Sequence, residues 1–313
     1  LWREIRRSFK VRQGRAAFFK IPNGSLFTKM EIPIIEAFPA PGLPEGFCFS
    51  LGDSSPTQGV SSGLAKGICG LWNRNDITQE GMGIGSPALK IGKQTYFSRT
   101  CSIESHGPEL AAKRFLIDTQ FEWCFGNYPS SWLTHIMNGL VHSYMKWESR
   151  EIQKAGLKAG TLLRQVLRIR NRLAYIRPLA QARFLYRRAA EGLEVTSSIR
   201  ALRGFLPKVC LLNELGADFL DAAYDGQKFL PLPSGWQKLT LDLPSPSLGN
   251  RKSGLRFFIR SCNLPSGIPV QLFWGREKTA YLCWAGFEFE LDCTAAPMTQ
   301  VQFTYTLAVE KES

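Results

Sequence analysis

Residues 287–309 read FEFELDCTAAPMTQVQFTYTLAV. In the first five, Phe287, Phe289 and Leu291 point one way, and Glu288 and Glu290 the other. In 301–309, Val301, Phe303, Tyr305, Leu307 and Val309 again fall on alternate positions. A period of two is the mark of a strand with one buried side, because successive side chains leave a strand on opposite faces. Upstream, VQLFW at 270–274 and TAYLCW at 279–284 are set off by GREK and AG turns. The C-terminal third therefore reads as an antiparallel meander.

Working back toward the N-terminus, PALKIGKQTYFSRT at 87–100 looks like a hairpin that turns at Ile91-Gly92-Lys93, and KRFLIDTQFEWCF at 113–125 continues the strands. Residues 21–80 are rich in Gly, Pro and Ser, with short apolar runs, and read as loops and short strands. The period changes at Trp132. Trp132, Ile136, Leu140, Tyr144 and Trp147 recur at helical spacing behind Ser131, a suitable cap. A second helix is expected from Leu162, Val166, Ile169, Leu173 and Ile176, ended or kinked by Pro178, with a third piece over 179–190. A further helix is possible at 209–223.

The expected fold is α+β and mainly antiparallel β, in four parts. These are a basic arm (1–20), a first β-rich unit (21–130), a basic helical insertion (131–205) and a second β-rich unit (206–313). Two short matches suggest that the β units are related. Ser86-Pro87-Ala88-Leu89 precedes Phe97-Ser98-Arg99-Thr100-Cys101, as Ser245-Pro246-Ser247-Leu248 precedes Phe258-Ile259-Arg260-Ser261-Cys262.

The charge is unevenly spread. The 313 residues carry a formal +13. Residues 1–20 hold seven bases and one acid, and residues 146–188 hold twelve bases and two acids, which leaves a slightly acidic body. In the second segment Arg outnumbers Lys nine to three. Arg164, Arg168 and Arg172 repeat every four residues, and Arg170, Arg177, Arg183, Arg187 and Arg188 widen the surface. On a helix this stripe would present guanidinium groups suited to phosphate. With Arg6 and Arg7 of the arm, it points to a non-catalytic polyanion-binding protein, RNA favoured, that binds nucleic acid or an anionic membrane surface. Two alternatives stand beside this. One is an enzyme or carrier for a small apolar ligand in a β-rich cavity, free or membrane-associated. The other is a subunit of a larger assembly whose bases meet an acidic protein partner.

Motifs for catalysis are sparse, and enzyme activity is left open. Gly59-Val60-Ser61-Ser62-Gly63 fits G-x-S-x-G but follows a turn rather than a strand. Gly81-Met82-Gly83-Ile84-Gly85 is not a dinucleotide fingerprint and reads as turn chemistry. Cys101, Glu104 and His106 form the one place where thiol, carboxylate and imidazole are close in sequence, and they are the weak catalytic candidates. His135 and His142 share a helix face without a third ligand, and the eight cysteines include no C-x-x-C pair, so neither metal nor cofactor is expected. Free thiols fit an intracellular, reducing compartment (cytoplasm or organelle matrix), and the arm fits a transit peptide as well as a binding arm. No run of 18 apolar residues suggests a transmembrane segment.

Overall fold

The computed structural model describes residues 36–38, 43–51, 64–78, 82–106, 110–145, 166–190, 192–217, 219–224, 227–232, 235–278 and 283–312. The basic arm and the G-x-S-x-G segment lie outside these residues. A small antiparallel sheet is built from β1 (Glu36–Phe38), β2 (Phe47–Ser50), β3 (Cys69–Trp72) and β4 (Asn75–Asp76), in that order.

The remaining strands form one large sheet. Its first members along the chain are β5 (Gly83–Ile91), β6 (Gln94–His106), β7 (Leu110–Phe125) and β8 (Tyr128–Pro129). After helix α1 (Ser131–Met145) come β9 (Ile169–Ala189), β10 (Gly192–Ala201), β11 (Lys208–Gly216), β12 (Ala222–Tyr224) and β13 (Phe229–Pro231). The C-terminal part adds β14 (Gly235–Leu239), β15 (Ser247–Gly249), β16 (Leu255–Asn263), β17 (Val270–Lys278), β18 (Cys283–Asp292) and β19 (Gln300–Lys311). Their spatial order is β13-β12-β15-β16-β19-β10-β9-β7-β6-β5-β11-β18-β17-β14, with β8 beside β7, and every pairing is antiparallel.

The sheet folds back on itself. Phe289 of β18 meets Phe303 and Tyr305 of β19 at 4.9 Å between ring centres, although six strands separate β18 from β19 in the order. The alternating residues of 287–309 thus face each other across one core, as two sheet faces pack in a sandwich. The small sheet joins this core through Phe47, 5.6 Å from Phe257, and through the Ile68–Ile84 bridge.

In the C-terminal part the expected turns GREK and AG lie inside β17 and β18, which pair with each other, and β19 pairs with β10 and β16 instead of continuing a meander. The antiparallel β reading and the hairpin at Gly92 stand. The basic helical insertion does not. Only α1 is helical over its length in 131–205, among the described residues. Residues 169–189, expected as the ends of two helices, form the single strand β9, which is paired with both β7 and β10. Ala180, Ala182, Phe184 and Tyr186 are buried, while Arg183 and Arg187 face outward. A spacing of four is even, so arginines four apart share a face on a strand as they do on a helix, and the stripe could not tell the two apart. Pro178 sits where the register jumps, since Ile117 pairs with Ala180 but Thr119 with Tyr175. A residue without an N–H is tolerated at such a bulge. The helix expected over 209–223 is instead mostly β11, buried on both faces between β5 and β18; its continuous apolar run carried no period.

The two matched segments both lie in antiparallel pairs, with Leu89 opposite Tyr96 and Leu248 opposite Phe257. Their surroundings differ. β6 runs directly into its neighbour β7, whereas the strand beside β16 is the C-terminal β19. A duplication is not established by this likeness.

Candidate functional site

Strand β11 has two chemically different faces. Val209, Leu211, Asn213 and Leu215 face the main core, and Lys208, Cys210, Leu212 and Glu214 face away from it. On β18 the away-facing residues are Glu288, Glu290 and Asp292, and on β5 they include Lys90. Register sets them in rows: Lys208 lies between Lys90 and Asp292, Cys210 between Ala88 and Glu290, and Leu212 between Ser86 and Glu288.

The charges interlock. Lys90 Nζ lies 2.5 Å from Glu288 Oε1 and 3.1 Å from Glu290 Oε2, and Lys208 Nζ lies 2.9 Å from Glu290 Oε1 and 3.5 Å from Asp292 Oδ2. Burial opposes the charge on Lys90, but the two glutamates beside it hold it above its ordinary range. Burial likewise works against Glu290, and the hydrogen bond from Lys208 and the charge of Lys90 outweigh it and keep Glu290 below the usual carboxylate range. Cys210 is pushed well up by burial and then by Glu288, so it stays a neutral thiol. Cys210, Glu288 and Glu290 place their ligand atoms within 4.8 Å of one another, a set that could hold a metal ion. The ammonium of Lys90 already binds both of these carboxylates, so the fit to a metal is poor.

Apolar groups frame the charges. Phe273 of β17 lies opposite Glu288, and Trp236 of β14 is on the same side of the sheet. Toward β6, Leu64, Met82, Ala88, Cys210 and Leu212 form a small buried cluster joined by Phe97, Phe121 and Leu173. The rings of Phe97 and Phe121 meet edge-on at 5.8 Å.

Glu214 is buried at the end of this row and accepts a hydrogen bond from the Met82 N–H at 3.1 Å. Burial pushes its carboxyl up to about 7, with the charge of Glu288 adding to the shift. The loop that supplies Met82 is fixed from both sides. Gly67 N donates to Met82 O at 2.9 Å and to Ser86 Oγ at 2.7 Å. Lys113, itself buried, donates to the carbonyls of Leu51, Lys66 (3.2 Å) and Gly67 (2.9 Å). From the core side, Asn213 Oδ1 accepts from Gly85 N at 3.2 Å and from the Tyr305 hydroxyl at 2.5 Å, and the Tyr186 hydroxyl donates to Gly85 O at 2.8 Å.

The sequence-derived candidates fall elsewhere. Arg172 pairs with Glu122 at 3.3 Å, Arg183 with Glu104 at 2.6 Å and Arg187 with Glu194 at 3.2 Å. Arg168 occupies a left-handed turn (φ 51°) just before β9, and Arg177 and Arg188 lie along that strand. Arg6, Arg7 and Arg164 lie outside the described residues, as does the side chain of Arg170. Cys101 packs toward the main core with Sγ 3.9 Å from Lys66 O, whereas Glu104 is held by Arg183 and Arg114. The side chain of His106 is not among the described ones, and Cys101 and Glu104 are not brought together. Sequence reading missed Glu288 and Glu290 as site residues. It saw them as the solvent side of FEFEL, when they are almost buried and paired with lysines from two other strands.

No protein-family model matches the chain, and no curated protein matches it. Among solved structures it is similar to a galactose mutarotase-like protein from Clostridium acetobutylicum, with 8% identity over 73% of this chain and 77% of that one, at a TM-score of 0.30. It is also similar to a putative aldose 1-epimerase from Escherichia coli K12, with 9% identity over 85% of this chain and 97% of that one, at a TM-score of 0.32. Scores at this level establish no shared function. The expected polyanion-binding function is corrected here. Its basic helix is a strand whose arginines Arg172, Arg183 and Arg187 pair with acids of nearby strands. No helix among the described residues is long and apolar enough to cross a membrane.

Proposed function

We propose that the face formed by Lys90, Lys208, Glu288 and Glu290 binds a polyhydroxylated small molecule of the carbohydrate class, and that Glu214 exchanges protons with it. The observation that carries this reading is a carboxyl raised to about 7 at the end of an interlocked row of carboxylates and ammonium groups. Strongly perturbed acids cluster at functional sites. Carboxylates accept hydrogen bonds from neighbouring hydroxyls, and ammonium groups donate to ring and hydroxyl oxygens. The nearby aromatic side chains Phe273 and Trp236 offer flat apolar surface to the C–H side of a sugar ring. A group that titrates near 7 can serve as either acid or base at neutral pH.

Aldoses make practical test substrates, because one polarimeter trace follows proton exchange at their anomeric centre. The protein is expected to give saturation transfer to sugar ring protons and to speed anomer interconversion. Glu214→Gln is expected to cut that rate by about a hundredfold or more while leaving binding within a few-fold. Lys90→Met paired with Glu290→Gln is expected to weaken binding by about tenfold. If no aldose or sugar acid shows saturation transfer and none is turned over, the reading is wrong.

A further inference from the structure

Five strands carry one row of residues past Glu214, and most of that row has no side chain. Trp236 of β14 lies opposite Gly275 of β17, and Gly275 opposite Gly286 of β18. Gly286 in turn lies opposite Glu214 of β11, and Glu214 opposite Gly83 of β5. On the face that bears Glu288 and Glu290, neither β17 nor β18 therefore places a side chain between Trp236 and Glu214 at this level. The gap is built into the backbone. A Cβ on Gly275 would run into the Gly235 carbonyl oxygen, and one on Gly286 into that of Asn213. Beside the gap stands the parallel row of Lys238, Phe273, Glu288 and Leu212, which walls it with an aromatic ring and a carboxylate.

The two ends of the row differ. Beyond Glu214 it stops at Gly83, where a Cβ would lie 2.7 Å from the Ile68 carbonyl oxygen, and the Met82 N–H caps the Glu214 carboxyl. That end is closed. At the other end β14 is the last strand of the sheet, and Trp236 is half-buried on it. Gly275 and Gly286 are buried, so a ligand reaches Glu214 along the row from the Trp236 end. Neighbouring strands lie about 4.8 Å apart, so three spacings set Trp236 about 14 Å from Glu214. A single pyranose is too short to touch both, whereas two linked rings span the distance. An indole offers a flat apolar face to the C–H side of a ring and an N–H to a hydroxyl at its edge. We infer that the site takes a disaccharide, with the reducing-end ring at Glu214 and the second ring stacked on Trp236. This rests on the carbohydrate reading of the Glu214 face and adds the length of the ligand to it.

The test is calorimetric titration of the full chain with sugars that share a reducing-end ring and differ in length. Glucose is compared with maltose and cellobiose, galactose with galactobiose, and mannose with mannobiose. For the monosaccharide that binds most tightly, the matching disaccharide is expected to bind about tenfold tighter. Trp236→Ala should bring that ratio to within about twofold of unity. Trp236→Phe, which keeps a ring on the strand, should retain most of the preference, and circular dichroism checks that both variants fold. Equal affinity for the two lengths in the wild-type protein overturns the inference and leaves the carbohydrate reading standing. A preference for the disaccharide that survives Trp236→Ala does the same. Absence of binding by every sugar in the set overturns both.

Discussion

Glu214 shows how burial sets one side chain's chemistry. Its carboxyl is withdrawn from water, and this outweighs the one backbone N–H that favours the charged form, so the group titrates near 7 instead of at the ordinary glutamate value. The consequence for stability has a definite sign. Between about pH 4.5 and pH 7 the folded chain holds a proton that the unfolded chain has lost, so stability is full below that window and falls as pH rises through it. The shift corresponds to about 3 kcal/mol at most. Denaturant titrations from pH 4 to 8 should show this loss, and Glu214→Gln should flatten it. A second buried ion, Lys113, is a cation solvated by three carbonyls. Lys113→Met removes the ammonium that these carbonyls face, and is expected to cost about 3 kcal/mol in urea unfolding.

At the scale of elements, the start of β5 decides the geometry of the site. Gly83 and Gly85 take positive φ values of 78° and 71°, and the register between β5 and β11 shifts there. The bulge brings Met82 over Glu214 while Ser86 reaches back to Gly67. A Cβ on Gly85 would lie 2.8 Å from the Tyr186 ring. Gly85→Ala is therefore expected to destabilise the fold by about 2 kcal/mol, read from urea unfolding. Helix α1 depends on fewer contacts. Leu133→Ala with Met137→Ala is expected to remove its anchorage, which would appear as fast amide exchange over 131–145 with the strands still protected.

For the whole molecule, one large sheet closed on its own core implies one cooperative unit. Far-ultraviolet and near-ultraviolet circular dichroism are expected to follow the same urea transition. A lagging signal would show that β14, β17 and β18 unfold apart from β16 and β19. The sequence alone determined the alternating strands at 287–291 and 301–309, the hairpin at Gly92 and the helix after Ser131, because each carries its own period or turn residue. Even there it misjudged a direction: Trp132, Ile136 and Leu140 look like a core face until Leu133 and Met137 are seen to face Trp123. Only the tertiary structure decided the rest. An arginine every fourth residue satisfies a helix and a strand alike, so 169–189 became β9 through the hydrogen bonds offered by β7 and β10. The candidate site was equally out of reach. Lys90, Lys208 and Glu288 lie on three different strands, and both their pairing and the shifted acidity of Glu214 arise from register and burial, which no local pattern encodes.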